Sequence, residues 1–253
     1  MSKFVIARQF CGPSTSGNGG YVCGVLAKDI DGPATAVLRA RPPLDEQLDL
    51  GVHEGVFQLT SEADGALIGA GVASDGAILP PVPEPPGLQA AREAGARSPG
   101  LTERIHPICF TCGSERAEGD GLRVLAGQIE GAPAGRVACV WTPHPDFAGA
   151  DGLIPSEIVW AALDCPGFFA WLAREGHHGA LLGTMTGEVL RRPRAGEDCI
   201  VMAWPLAREG RKETAGVALF GAGGELLARA HQVWIVMGPP DQTPAATPAA
   251  VSA

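Results

Sequence analysis

The sequence predicts an α+β protein made of two similar units, with two antiparallel sheets each wrapping a central helix. Three observations predict it. The first is an internal echo: "VLRARPPLDEQL" (Val37–Leu48) resembles "VLRRPRAGEDC" (Val189–Cys199), and "DGALIGAGVA" (Asp64–Ala73) resembles "GELLARAHQV" (Gly224–Val233). The first pair runs from a short apolar segment through arginines to proline and a polar turn. The second pair places a turn before a final strand. Self-similarity at long spacing is most simply a tandem repeat. The second observation is a helix candidate ahead of the strand candidates in each half. The third is a Pro/Gly/Ala-rich stretch between the halves, "DGAILPPVPEPPGLQAAREAGARSPG".

The expected organisation is a short first unit over 1–75, a linker over 76–105, a second unit over 106–238 and a disordered tail over 239–253. The first unit opens with a strand candidate, "KFVIARQF", followed by the helix candidate "GNGGYVCGVLAKDI" (Gly17–Ile30) and few further strands. Its glycines weaken it as an isolated helix, but they permit close backbone approach and leave N–H groups free to bind an anion or a carbonyl oxygen. The linker composition predicts extended chain with at most one helical turn.

In the second unit, "GLRVLAGQIEG" and "RVACVWTPH" read as strands. "SEIVWAALDCPGFFAWL" (Ser156–Leu172) reads as a helix with Ser156 as N-cap and Glu157 complementing the dipole. Strands are expected over Leu181–Arg191, Cys199–Ala207, Glu213–Phe220 and Leu226–Val236, with turn signals between them. The helix is apolar on nearly every side, as befits the filling of a sheet rather than a surface helix.

Composition excludes several classes. The net charge of −9 repels phosphate backbones, so nucleic acid is not an expected partner. No apolar run approaches the ~20 residues of a membrane helix, and Arg8 and Gln9 interrupt the N-terminal apolar stretch too early for a signal peptide. Seven scattered cysteines in such a chain read as reduced thiols of a cytoplasmic protein.

These features together resemble the double-hotdog acyl-CoA thioesterases of the TesB-like and PaaI-like groups. "GNGGYVCG" is similar to the glycine pair that opens a hotdog helix. The Asp of "WAALDCPG", Asp164, is similar to the aspartate on the second-unit helix of TesB-like enzymes. "GELLARAHQVWIV" is similar to their last strand, with Gln232 at the functional glutamine; Val233 follows it where the family has an acidic residue. Thr184 or Thr186 in "LLGTMTGEVLRRP" falls where the family has a Thr or Ser, and Thr184 matches better.

The resemblance implies hydrolysis of an acyl-CoA or acyl-thioester at the junction of the two units, with a possible homodimer. Asp164, Gln232 and Thr184 form the expected catalytic set. Asn18, Gly19 and Gly20 would bind the thioester, the two glycine N–H groups meeting its oxygen, and Arg191 and Arg192 would meet CoA phosphates, as would Arg39 and Arg41. The alternative is an acyl-binding protein in which Asp164 is structural, a carboxylate ending a helix before Pro166. "HPICFTCG" presents His106, Cys109 and Cys112 at H-x2-C-x2-C spacing, but no fourth ligand follows at a suitable distance. It is read as a turn that starts the second unit, and no metal or cofactor is expected.

Overall fold

The computed structural model describes residues 2–176 and 178–237; the predicted tail over 239–253 lies outside them. The strands are β1 (Ser2–Val5), β2 (Ala34–Leu38), β3 (Gln47–His53), β4 (Val56–Ser61), β5 (Leu67–Ala73), β6 (Gly127–Gln128), β7 (Val137–Trp141), β8 (Ala180–Val189), β9 (Cys199–Glu209), β10 (Lys212–Gly221) and β11 (Leu226–Val236). The helices are α1 (Gly19–Ala27), α2 (Leu88–Gly95), α3 (Pro99–Thr102), α4 (Ser156–Ala162) and α5 (Asp164–Glu175).

All the strands join one antiparallel sheet in the order β1-β3-β4-β5-β2-β8-β11-β10-β9-β7-β6. The expectation of two separate sheets is corrected here. β2 and β8 are each the first strand after the main helix of their half, and they pair with Ala34 opposite Gly187 and Val37 opposite Thr184. That pairing satisfies two rows of edge N–H and C=O groups that would otherwise be open. The hydroxyls of Thr35 and Thr186 meet at 2.8 Å across the seam. Outward from the seam the order is β2, β5, β4, β3, β1 on one side and β8, β11, β10, β9, β7, β6 on the other, so each strand of the first half has a counterpart. The echo in the sequence is thus an echo in topology.

The first half is richer in strands than expected. β3 and β4 form a hairpin through Glu54 and Gly55, both at positive φ, the turn geometry that suits the twist of a hairpin. The stretch before β7 is poorer: only Gly127 and Gln128 pair as a strand, while Leu122 and Val124 are tied to the backbone of Phe110 and Thr111. The presumed linker contains α2, whose Ala91 and Ala94 are fully buried against β7. They lie three residues apart on one helical face, a signal masked by the surrounding prolines.

The helix predicted over Ser156–Leu172 is interrupted at Leu163. Pro166 has no N–H, and its ring obstructs the carbonyl four residues back, so it fits only in a first helical turn. α5 accordingly starts at Asp164. The N-cap of α4 is Pro155, so Ser156 is the first helical residue instead of the cap, while Glu157 does lie in the first turn. α1 lies against β2, β4, β5 and β8, and α5 against β6, β7, β9 and β10, with α1 and α4 packed on each other.

The α1–α4 contact is close because Gly20 and Gly24 share one face of α1. A Cβ on Gly24 would stand 2.6 Å from the Glu157 Cα, and one on Gly20 would stand 2.8 Å from the Trp160 carbonyl oxygen. Among the described residues no helix is long and apolar enough to cross a membrane.

Candidate active site

The close helix packing brings the first turn of α1 to the first turn of α5. Asn18 is the N-cap of α1, its side-chain oxygen accepting from the Tyr21 N–H at 2.9 Å. Its amide nitrogen then donates to Asp164 Oδ2 at 2.7 Å and to Thr111 Oγ1 at 3.1 Å. The Gly20 N–H donates to the same Asp164 oxygen at 3.1 Å. One carboxylate oxygen is therefore held by the N-terminus of the opposite half's helix, where partial positive charge concentrates. The other, Oδ1, is buried and has no hydrogen-bond partner among the described residues.

Asp164 is only 4% exposed, yet it lines a cavity of about 280 Å³. Both halves contribute walls: Gly19 and Asn18 from α1, Leu182 from β8, Phe168 from α5 and Trp234 from β11. The lining is largely apolar with a few polar groups, among them Asn18 and Asp164, the usual make-up of a small-molecule site. Burial pushes the Asp164 carboxyl up to about 7, and the adjacent Cys109 sulfur acts in the same direction, while the Gly20 and Asn18 donors pull it back. A carboxylate so placed has the basicity to take a proton from water.

Gln232 is fully buried beside this group. Its amide nitrogen donates to the carbonyl oxygens of Leu163 at 2.7 Å and Asp164 at 3.0 Å, and its oxygen accepts from Trp234 Nε1 at 2.9 Å. It holds the α4–α5 break, and so the backbone of Asp164, while the carboxyl group itself is gripped from α1. Gly167 makes this possible, since a Cβ there would lie 1.8 Å from the Gln232 oxygen.

Thr184 is not brought to the site. A bulge in β8 lets Val233 pair with Thr184 and Trp234 with Leu182, skipping Gly183. Leu182 lines the cavity, while past the bulge it is Met185 and Gly187 that face the helices; Met185 is fully buried, and a Cβ on Gly187 would touch the Trp160 ring. Thr184 and Thr186 alternate with these and project from the other face.

Arg191 and Arg192 are also elsewhere. Arg191 is bound to Glu197 at 2.6 Å and Glu225 at 2.5 Å, and Arg192 pairs with Asp151. Arg39 and Arg41, just beyond β2, do reach the cavity rim, are exposed and have no carboxylate partner among the described residues. Of the glycine pair, Gly19 faces the cavity, whereas the Gly20 N–H is already occupied by Asp164.

Sequence reasoning missed Thr111, Trp234 and Cys165. Thr111 accepts from Asn18 and donates to the Ala161 carbonyl at 2.7 Å, joining the two helices. Cys165 lies 3.6 Å from Cys109, sulfur to sulfur. Hydrogen bonds from Cys112 and Cys165 hold the Cys109 thiol well below its ordinary value, and both donors are pushed up by the same contacts. His106 is exposed at the cavity rim and does not join the sulfurs.

Solved structures share this architecture from end to end. The tesB protein of Mycobacterium avium subs paratuberculosis matches with a TM-score of 0.59 at 15% identity, over 93% of this chain and 93% of that one. A protein of unknown function with hot dog fold from Alicyclobacillus acidocaldarius matches with a TM-score of 0.58 at 14% identity, over 94% and 93%. The chain is a double hotdog. The acyl-CoA thioesterase II TesB2 of Mycobacterium marinum matches this double hotdog with a TM-score of 0.54 at 15% identity, over 94% and 93%. No family model matches the double hotdog described here, and neither does any curated protein. At these identities the likeness establishes the fold alone.

Proposed function

We propose that this chain is an acyl-CoA thioesterase-like hydrolase, cleaving a thioester in the cavity between its two halves. The observation that carries the reading is the division of labour in Asp164: Oδ2 is fixed by Asn18 and Gly20, and Oδ1 is left without a protein partner on a carboxylate that faces an apolar cavity. A base needs both a fixed direction and a free lone pair. In the proposed reaction Asp164 takes a proton from water as the water oxygen attacks the thioester carbonyl. The Gly19 N–H, in the first turn of α1 where helical partners are lacking, stabilises the developing oxyanion. Collapse breaks the C–S bond, and the proton passes from Asp164 to the departing CoA sulfur, leaving a carboxylic acid and free thiol. Gln232 positions the Asp164 backbone. Arg39 and Arg41 attract the CoA phosphates on an otherwise acidic protein.

The shared fold with an acyl-CoA thioesterase II supports this substrate class. The alternative, an acyl-ligand-binding protein without turnover, is favoured by one observation: Gln232 is saturated by the backbone and Trp234, and Thr184 is turned away. Release of free CoA thiol from a panel of acyl-CoAs of differing chain length separates the two. Wild type is expected to turn over at least part of the panel, and Asp164→Asn to lose about 10²- to 10⁴-fold in kcat. Acyl-CoA retained by wild type without release of thiol would establish the binding alternative.

A further inference from the structure

Cys109, Cys112 and Cys165 converge although they come from separate parts of the chain. The first two flank a tight turn closed by the Gly113 N–H on the Cys109 carbonyl at 2.8 Å. Cys165 projects from the first turn of α5. All three are buried, and their sulfurs lie within 4.8 Å of one another. A Zn–S bond of about 2.3 Å in a tetrahedron sets ligand sulfurs about 3.8 Å apart, and the Cys109–Cys165 separation is 3.6 Å. A buried cysteine ordinarily packs as a small apolar group. Three buried sulfurs brought together from a turn and a helix match the spacing of a thiolate ligand set. Asn18 Nδ2, whose two hydrogens go to Asp164 and Thr111, lies 3.8 Å from the Cys109 sulfur.

We infer that Cys109, Cys112 and Cys165 form a three-thiolate site for Zn²⁺ in the wall of the cavity. The C-x2-C turn supplies two ligands, as in zinc knuckles, and α5 supplies the third in place of His106. Cys109 and Cys165 line the cavity, so the proposed site adjoins it. Metal binding displaces the thiol protons to solvent and ties the turn to α5. The inference is independent of the thioester reading.

The test is titration of the reduced, metal-free full chain with Co²⁺, followed by Zn²⁺. The expected result is sulfur-to-cobalt charge-transfer absorption that saturates at one equivalent and disappears as Zn²⁺ displaces the cobalt. Cys112→Ser and Cys165→Ser should each weaken Zn²⁺ binding by more than about 100-fold in chelator competition, beyond the 10–100-fold typical of losing an outer-shell partner. Cys139→Ser and Cys199→Ser should leave affinity unchanged. Absence of the charge-transfer band in wild type at stoichiometric Co²⁺ would overturn the site, as would a band that persists at full strength in Cys165→Ser. No readout requires an acyl-CoA, so failure here is distinct from failure of the hydrolase reading.

Discussion

The two halves carry almost the same arginine-proline segment and use it differently. Aligned on the shared Val-Leu-Arg, Arg39 corresponds to Arg191 and Asp45 to Glu197. In the second half Arg191 closes on Glu197 and Glu225. In the first half Asp45 is engaged by Arg8 instead, at 3.3 Å, and Arg39 stays exposed at the cavity rim. The same division runs through the helices. α1 offers donors and no carboxylate, whereas α5 opens with the acid that receives them. Repetition supplied two equivalent frames, and the differences in charge partners and first-turn residues leave one presenting donors and the other presenting the carboxylate that receives them.

The largest expected effect after loss of the acid itself is at the donor. Asn18→Ala removes the cap of α1 and leaves the Asp164 oxygen with one of its two donors. Loss of a cap costs about 1 kcal/mol, and loss of one hydrogen bond to a charged group adds about 1.5–3 kcal/mol. Chemical denaturation should show the sum, and thiol release should fall with it. Unchanged stability would mean that the two halves are not coupled through this amide. Next comes Gly24→Ala, which forces a methyl into the α1–α4 contact. Overpacking costs about 1–3 kcal/mol, partly offset by up to about 1 kcal/mol of helix propensity. A net gain in melting temperature would show that the close approach is not required.

These elements differ in how far the sequence disclosed them. The echo, the helical stretches and the place of Asp164 within the second of them follow from local pattern, because period and punctuation are properties of neighbouring residues, whereas the caps fell at Asn18 and Pro155 and not at Ser156. Pro166 also announced a break, and its consequence was a new helix start, not a helix end. The seam between β2 and β8 was not legible, since edge pairing is decided between distant segments. Thr184 failed for a related reason: one skipped residue at Gly183 turned its side chain to the other face, and periodicity cannot register a bulge. The sulfur cluster was half visible. C-x2-C is local, but the approach of Cys165 depends on where α5 docks, and His106 held its place in the pattern only by proximity in the chain.

The smallest effects sharpen the arginine contrast most. Replacing Arg39 and Arg41 by alanine removes exposed charge without touching the core, so stability should stay within about 0.5 kcal/mol of wild type. KM for acyl-CoA should rise several-fold and lose part of its salt dependence, while KM for the matching acyl-pantetheine, which lacks the nucleotide phosphates, should not change. Arg191→Ala should behave in the opposite way. It opens a partly exposed ion-pair network worth about 0.2–1 kcal/mol and should leave both KM values alone. Should Arg191→Ala raise KM for acyl-CoA selectively and the rim double variant not, the CoA phosphates would belong at the second half's echo, and the Arg39–Arg41 rim would not be the entrance for the ligand.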